Sequence, residues 1–301
     1  MSEAQKIVLG LGGDWKQNFG LAPCPICQPE GRKDQRAGSF KDQGGKTLAY
    51  CHKSGCKGLD MLAACTGRGI ITGNGITTKK SQVEIDKERQ TAQRKAYEKL
   101  KFCDKMFAEC VCVDGTPAQS YLETRGIKDI QGKRILNTMR FHPNLLHSRT
   151  NTYWPALVCR IRGPKGNPMG LHRTFLAKDG SDKAPVQLPK MMLGPSSSGA
   201  VRFGRDNKVI ALAEGIETAL SISRASRLTT WACLSTSGMK GLILPPIPVA
   251  EVVVICADND GAGLEAAKAT AARLEAEGRA VSVITPQHAG QDFNDVLRGN
   301  K

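Results

Sequence analysis

The last third of the chain alternates short apolar runs with amphipathic stretches. The apolar runs predict four strands, at 209–213, 230–234, 251–257 and 280–285. The stretches between them predict helices at 215–225 and 262–277. Strands that alternate with helices are typical of a mostly parallel sheet with both faces covered. The predicted class of this region is therefore α/β, a Rossmann-like parallel sheet with flanking helices.

The rest of the chain has weaker patterns that divide it into three further parts. From Val83 to about Cys112 the sequence is charged, with an apolar stripe at helical spacing, and Thr116-Pro117 opens another short helix. Short β-like runs in 139–205, such as 156–161 and 170–175, indicate an α+β middle region. The predicted domains are a small cysteine-rich module, a linker with the charged helix, the middle region and the α/β domain, at 1–66, 67–115, 116–205 and 206–301.

Charge is unevenly distributed along the 301 residues, whose net charge is +15. Residues 114–205 carry 15 basic and 5 acidic side chains, whereas residues 206–301 carry 9 and 11. A basic middle segment favours a polyanionic partner, for which nucleic acid is the leading candidate and a merely soluble basic surface is the alternative. Apolar stretches are too interrupted to span a membrane, so no membrane partner is expected. The amino terminus lacks the pattern of a signal peptide, which predicts a cytoplasmic protein whose eleven cysteines are thiols or metal ligands.

Two pairs of cysteines have the spacing of a zinc site. Cys24 and Cys27 form one knuckle, and Cys51 and Cys56 form a second, wider one. A tetrahedral zinc ion needs four such soft ligands, and a module this small has too little core to fold without help. The pattern predicts a zinc ribbon, with unpaired thiols as the alternative. His52 is an alternative ligand to Cys51, or a group that supports the ligands.

Carboxylates follow three of the predicted strands. Glu214 comes directly after the first, Asp258 and Asp260 after the third, and Asp292 in the loop after the last, with Asp295 a weaker candidate. The carboxyl ends of parallel strands share one edge of a sheet, where ligands bind. Clustered carboxylates supply the oxygen ligands that Mg²⁺ or Mn²⁺ prefers. The sequence therefore predicts a metal–phosphate site, with Glu217 and Glu265 assigned to solvated helix faces. No glycine-rich dinucleotide pattern follows the first strand, and GGKT at 44–47 lacks the first glycine of an ATP-binding loop, which excludes both of those classes.

These motifs resemble known ones. AEGIETALSI and ICADNDGAG are similar to the first and second motifs of the Toprim domain, and CPIC…CHKSGCKGLDML is similar to the zinc-binding domain of DnaG-type primases. The chain resembles the zinc-ribbon/Toprim primase-like proteins of phages, plasmids and integrated elements. The resemblance also takes in TPAQSYLETRGI, MRFHP, GLHRTFL and AVRFG of the middle region. Its second zinc knuckle is wider than usual, and its middle region is shorter than the core of full-length bacterial primases.

The resemblance implies an enzyme that makes short RNA primers on single-stranded DNA. It implies Glu214, Asp258 and Asp260 as catalytic residues, and Asp258, Asp260 and Asp292, with Glu214, as ligands of magnesium. It also implies a structural zinc, ribonucleoside triphosphates as substrates and a replicative helicase as a partner chain. The basic candidates for template and triphosphate binding lie on or beside β-runs, and an ordinary solvated cation is the simpler interpretation for each: Arg160, Arg162, His172, Arg173, Lys190 and Arg202. Trp154, Phe175 and Phe203 are candidates for base stacking, although core packing is the simpler interpretation for each. Two other functions stay open: a Toprim-type nuclease, and a non-catalytic zinc-ribbon protein that binds DNA.

Overall fold

The computed structural model describes residues 1–32, 35–43, 46–72, 82–128 and 137–299, with the side chains of 82–85 left aside. The chain divides into two compact units, Met1–Gln90 and Thr91–Lys301. Residues 73–81 of the predicted linker and residues 44–45 of the GGKT motif lie outside the described residues. Within the described residues, no helix combines the length and apolarity needed to cross a bilayer.

The first unit is a small antiparallel sheet with two short helices. Its elements are α1 (Glu3–Gly10), β1 (Asp14–Trp15), β2 (Gly20–Ala22), β3 (Gly38–Gln43), β4 (Lys46–Cys51) and α2 (Gly58–Gly67). The four strands pair in sequence order, so each is joined to the next as in a meander. The core around Phe40 and Met61 is small, and it includes Cys24 and Cys51. The strands fit the predicted module, whereas neither helix was predicted. Gly67, the first residue of the predicted linker, belongs to α2.

The second unit is built on one mixed sheet, which contains nine strands among the described residues. Its strands are β5 (Met139–His147), β6 (Thr152–Arg162), β7 (Pro168–Phe175), β8 (Lys190–Leu193), β9 (Ala200–Phe203), β10 (Val209–Ala213), β11 (Thr229–Ala232), β12 (Val252–Cys256) and β13 (Ala280–Ile284). The strand order is β13-β12-β10-β11-β9-β6-β7-β8, with β5 beside β6. The last four strands of the chain are mutually parallel, and β9 joins them antiparallel through β11. The antiparallel strands of the middle region therefore continue the same sheet.

Helices cover both faces of the parallel part of this sheet. The helices of this unit are α4 (Pro117–Thr124), α5 (Ile216–Ser226), α6 (Thr236–Gly241), α7 (Gly261–Ala276) and α8 (Phe293–Arg298), while α3 (Gln82–Ala108) runs from the first unit into the second. One apolar core lies between the sheet and α4, α5 and α8, and the other lies under α6 and α7. A sheet buried on both faces explains why β10 and β12 are almost entirely apolar. The predicted α/β class with flanking helices is confirmed.

Candidate functional site

Four cysteines of the first unit meet at one point. The Sγ atoms of Cys24, Cys27, Cys51 and Cys56 all lie within 4.8 Å of one another, and those of Cys27 and Cys51 are 3.6 Å apart. One knuckle follows β2, and the other starts at the last residue of β4. Gly55 has a φ of +62°, which lets the second knuckle turn within its wider spacing. Four thiols in this arrangement fit the tetrahedral demand of zinc.

The protonation of these thiols favours a bound cation. Burial opposes ionisation of Cys51, but backbone amides of Ser54 and Cys56 outweigh it and lower the pKa of this thiol to about 6. Burial and the neighbouring thiols raise the pKa of Cys56 to about 12, because the cluster resists a second negative charge. His52 is not part of the group, since its Nε2 lies 3.0 Å from Oγ of Ser39. The structure therefore brings together the four predicted cysteines and leaves His52 outside them.

The predicted carboxylates lie along one edge of the large sheet. Ala213, Cys256 and Ile284, the last residues of β10, β12 and β13, are level in the strand register. Glu214 and Asp258 therefore leave the sheet side by side, and the loop that carries Asp292 starts from the same edge. Position 263 accommodates only glycine, because a Cβ there would lie 2.6 Å from the carbonyl oxygen of Asp258. This close approach lets α7 begin directly beyond the strand end.

These carboxylates are near enough to affect one another's ionisation. Burial, and then the charges of Asp292, Glu214 and Asp260, raise the pKa of Asp258 to about 7. Its Oδ1 atom is buried without a hydrogen-bond partner among the described residues. Burial and Asp260 also raise the pKa of Glu214. The carboxylates at this edge therefore repel one another, and a bound divalent cation would reduce that repulsion.

Two of the carboxylates also have a structural role. Asp260 caps α7, accepting a hydrogen bond from the amide of Gly263 at 2.6 Å. Asp292 caps α8, where its Oδ1 accepts from the amides of Asn294 and Asp295 at 2.7 and 2.9 Å. Among the residues that the structure describes, the four cysteines are the one group of side chains drawn close enough to hold a metal. The carboxylates share an edge and an electrostatic field, but they do not form a group as tight as that of the cysteines.

Glu217 is a component of the site that the sequence interpretation missed. Instead of facing solvent, it is buried, with an exposed fraction of 7%. Its Oε2 accepts a hydrogen bond from Nζ of Lys190 at 2.8 Å, and its Oε1 accepts one from the hydroxyl of Tyr121 at 2.6 Å. Burial opposes its ionisation, but Lys190 and then Tyr121 outweigh it and lower the pKa of Glu217 to about 2. The prediction of a solvated face was wrong because α5 has seven buried residues in succession, so it has no solvated face at its start. That run of small and apolar residues was the available signal.

Lys190 connects this buried pair to the acidic edge. Its ammonium group opposes the rise in the pKa of Glu214 that burial and Asp260 cause, and it lowers the pKa of Glu217. Lys190 therefore lies within the electrostatic field of both carboxylates. The Lys190 side chain is 38% exposed, which leaves it accessible from solvent. Of the predicted basic residues, Lys190 is the one whose charge acts on Glu214 at the acidic edge. It is held there by a carboxylate that comes one helical turn after Glu214.

The other predicted basic residues are mostly engaged inside the protein. Arg160 lies 3.3 Å from Asp104 and stacks on the ring of Phe107. Arg173 and His172 are buried, with 6% and 5% exposed, and burial lowers the pKa of His172 to about 4, so that it is neutral at pH 7. Arg202 is buried over the Trp231 ring and bonds to Asp206. Arg162 donates to the carbonyl of Gly166 at 3.0 Å. Contacts of Arg173 and His172 with a template would require them to leave the core.

Two of the three stacking candidates are core residues, and Glu265 lies on a solvated helix face, as the simpler interpretations of the sequence predict. Phe175 and Phe203 are core residues, with 0% and 3% exposed, whereas Trp154 is half-buried. Glu265 is exposed and pairs with Lys240. On the first unit, Tyr50 is accessible for stacking, since it is 63% exposed, and its ring meets that of His52 edge-on.

Comparisons with known proteins agree with the two motifs at the sheet edge. Residues 209–300 match the family model described as Toprim domain, and residues 98–203 match one described as a domain of unknown function, DUF7146. No curated protein matches the chain in a sequence search. The predicted Toprim domain is thus confirmed, and the cysteine cluster confirms a zinc-ribbon-like module beside it.

Solved structures similar to this chain include three from primases. One is a DNA primase domain from Pseudomonas aeruginosa, at 14% identity and a TM-score of 0.45, covering 66% of this chain and 74% of that chain. Another comprises the zinc binding and RNA polymerase domains of the Aquifex aeolicus primase, at 13% and 0.45, covering 99% and 82%. A third is the primase fragment of the bacteriophage T7 primase-helicase protein, at 15% and 0.39, covering 93% and 95%.

Proposed function

We propose that this zinc-ribbon/Toprim, primase-like protein is a nucleotidyltransferase that makes short RNA primers on single-stranded DNA. The observation that carries the proposal is the cluster of carboxylates at the carboxyl edge of the sheet, where burial and then four neighbouring carboxylates raise the pKa of Asp258 to about 7. Such a cluster is unfavourable in the protein alone and favourable around a divalent cation. Phosphoryl transfer is the chemistry that most depends on such a cation beside a phosphate.

The donor chemistry of the side chains at this edge suits Mg²⁺ or Mn²⁺, and the carboxylates would draw closer together around the ion than they stand without it. All the donors are carboxylate oxygens, which hard cations prefer, and the buried Oδ1 of Asp258 lacks a hydrogen-bond partner among the described residues. Glu214, Asp258, Asp260 and Asp292 are the residues that would hold the ion. When bound, the ion would supply positive charge to the phosphate oxygens. Because Asp260 and Asp292 also cap helices, the edge is anchored to α7 and α8.

The chain's own residues would bind and orient the reactants. Lys190, held by Glu217, would bind the triphosphate beside the acidic edge, and Tyr121 holds Glu217 in place by donating to its other oxygen. Glu214 would accept the proton of the primer 3′-hydroxyl as that oxygen bonds to the α-phosphorus of the incoming nucleotide. The bond to the β-phosphate oxygen breaks, and pyrophosphate leaves with the electron pair.

The four cysteines would hold a structural zinc ion that stabilises the first unit. The outer face of its β3–β4 hairpin carries Tyr50, with Lys41 and Lys46 nearby on the same two strands. An exposed aromatic ring beside basic side chains suits a single strand, since the ring stacks on bases and the lysines contact phosphates. We therefore propose that this face contacts the template. A replicative helicase supplied by another chain stays a prediction from the resemblance.

A primer assay tests the proposal. Purified protein, single-stranded DNA of mixed sequence, ribonucleoside triphosphates and Mg²⁺ or Mn²⁺ are expected to give short RNA products detected by mass. Asp258→Asn removes the charge at the centre of the edge and is expected to lower product formation about 100-fold or more. Asp60→Asn, at an exposed position in α2, is the matched control and is expected to retain activity.

Other outcomes would point to the alternatives. DNA cleavage that needs the metal but no ribonucleotides would replace synthesis with nuclease activity. DNA binding without any metal-dependent product would leave only a zinc-ribbon DNA-binding protein. Equal activity of Asp258→Asn and Asp60→Asn would refute the assignment of the acidic edge as the catalytic site.

A further inference from the structure

A basic cavity lies in the second unit, away from the acidic edge. Its volume is about 260 Å³, and its wall includes Thr138, Arg162, Arg202 and Asp206. Asn137 also lines it, and Gly166 and Gly204 contribute backbone without side chains. Polar groups, two of them guanidinium groups, therefore line a space that holds a small molecule.

The positive charge of this cavity is only partly compensated. Nη1 of Arg202 donates to Oδ1 of Asp206 at 3.0 Å, and Asp206 is the one acid among the lining residues that the structure describes. Arg162 has a bond to the Gly166 carbonyl, which uses one of its five N–H donors. The charge of Arg162 lowers the pKa of Arg202, after the larger effect of burial, so the two guanidinium groups lie close enough to repel each other. One carboxylate for two cations leaves a positive charge that an anion would neutralise.

Arg202 is held rigidly in this wall. The residue is 4% exposed, its guanidinium lies 3.8 Å from the centre of the Trp231 ring, and Nη2 donates to the Gly163 carbonyl. Its Nε is buried with no hydrogen-bond partner in the described part of the chain. A buried guanidinium with an unsatisfied donor is costly to maintain beside a second guanidinium and only one carboxylate. A ligand with several acceptor oxygens would reduce that cost.

The position of the cavity separates it from the proposed polymerising site. Gly204 and Asp206 precede β10, whereas Glu214 follows it, so the cavity and the acidic edge lie at opposite ends of this strand. Five residues of strand, at about 3.3 Å each, place the two sites roughly 16 Å or more apart. A ligand in the cavity would not touch the carboxylates at 214 and 258.

We propose that this cavity is a second phosphate-binding site, which takes the phosphate group of a nucleotide between Arg162 and Arg202. The guanidinium group of Arg162 offers the paired donors that match phosphate oxygens, and Thr138 and the glycine backbones border the same space. The volume accommodates a mononucleotide in part and its phosphates fully. The site needs no divalent cation, because its positive charge comes from the side chains. It would make the protein responsive to a nucleotide that it does not polymerise.

The test is binding measured without added divalent cations, in buffer passed over a chelating resin, by equilibrium dialysis of the full chain. The probes are inorganic phosphate, ADP and a single-stranded oligothymidylate. We expect saturable ADP binding that inorganic phosphate displaces. Arg162→Gln is expected to weaken it about tenfold or more, the effect of losing a charge-assisted contact. Asp206→Asn removes the competing negative charge and is expected to tighten it.

Control variants distinguish this site from the rest of the basic surface. Arg149→Gln makes the same change at an exposed position near the other end of β6 and is expected to leave ADP binding unaltered. Asp258→Asn is also expected to leave it unaltered, so failure of the polymerising site and failure of this site are separate results. If oligothymidylate binding, and not ADP binding, responds to Arg162→Gln, the phosphate belongs to a nucleic-acid strand. If no probe responds to Arg162→Gln, or if Asp206→Asn weakens binding as much as Arg162→Gln does, the proposal is wrong.

Discussion

The buried pair of Glu217 and Lys190 gives the most quantitative prediction. A carboxyl group whose pKa falls from 4.5 to about 2 on folding gains about 3 kcal/mol in its ionised form. Since the Lys190 side chain is 38% exposed, water screens part of this interaction, and about 2 kcal/mol is the expected loss for Glu217→Gln near pH 7. Because the folded-state pKa lies below the ordinary value, the contribution is complete above pH 4.5 and is lost as the pH falls towards 2. The difference in the free energy of unfolding between Glu217→Gln and the unmutated protein should therefore become smaller as the pH falls from 4.5 towards 2.

Urea unfolding followed by tryptophan fluorescence measures this difference, since Trp231 is fully buried in the same sheet. Glu265→Gln is the matched control, because Glu265 also pairs with a lysine at 3.1 Å but is 77% exposed. We expect the control to lie within about 0.5 kcal/mol of the unmutated protein. A double-mutant cycle with Lys190→Met should give a coupling free energy of at least about 1 kcal/mol. Indistinguishable midpoints for Glu217→Gln and Glu265→Gln would show that the buried pair does not stabilise the fold, and the reasoning would fail.

The first unit supplies two further predictions. Cys51→Ser should reduce the amount of metal bound per chain, measured by mass spectrometry of metals, and should lower the melting temperature of the first unit. Cys112→Ser changes an exposed cysteine outside the cluster and should alter neither quantity. Equal metal content in both variants would contradict the zinc site. Tyr50→Ala should weaken single-stranded DNA binding by about 1–3 kcal/mol in a fluorescence anisotropy titration, whereas Tyr153→Ala, also exposed, should not. If both tyrosine variants bind as the unmutated protein does, the template contacts another face.

The parallel strands and the cysteine cluster could be predicted because their signals are local. The run EVVVICA and the two cysteine knuckles each need only neighbouring residues to be recognised, and the structure has β12 at Val252–Cys256 and all four cysteines together. The strand ends also follow from such runs, so the shared edge of Glu214 and Asp258 was accessible from the sequence.

The environment of the basic residues could not be predicted in the same way. The run 170–175 predicts a strand, and a solvated side chain is the simpler expectation for Arg173. In the structure, β7 is buried on both faces from Gly170 to Phe175. Whether Arg202 reaches solvent depends on Trp231, 29 positions further along the chain, and on the antiparallel pairing of β9 with β11. Glu217 likewise depends on Tyr121 and Lys190, which belong to other elements. Partners distant in sequence decide burial, and a single sequence does not reveal them.

The pairing of β9 with β11 also limits how the protein can be divided. The two family matches end at 203 and begin at 209, yet the antiparallel pairing of β9 with β11, which sets Phe203 opposite Thr230, joins the two matched regions in one sheet. A fragment starting at 209 would expose an unpaired strand and the indole of Trp231, a combination that promotes aggregation. An exchange of the Toprim domain between proteins during evolution would therefore have to include β9 as well.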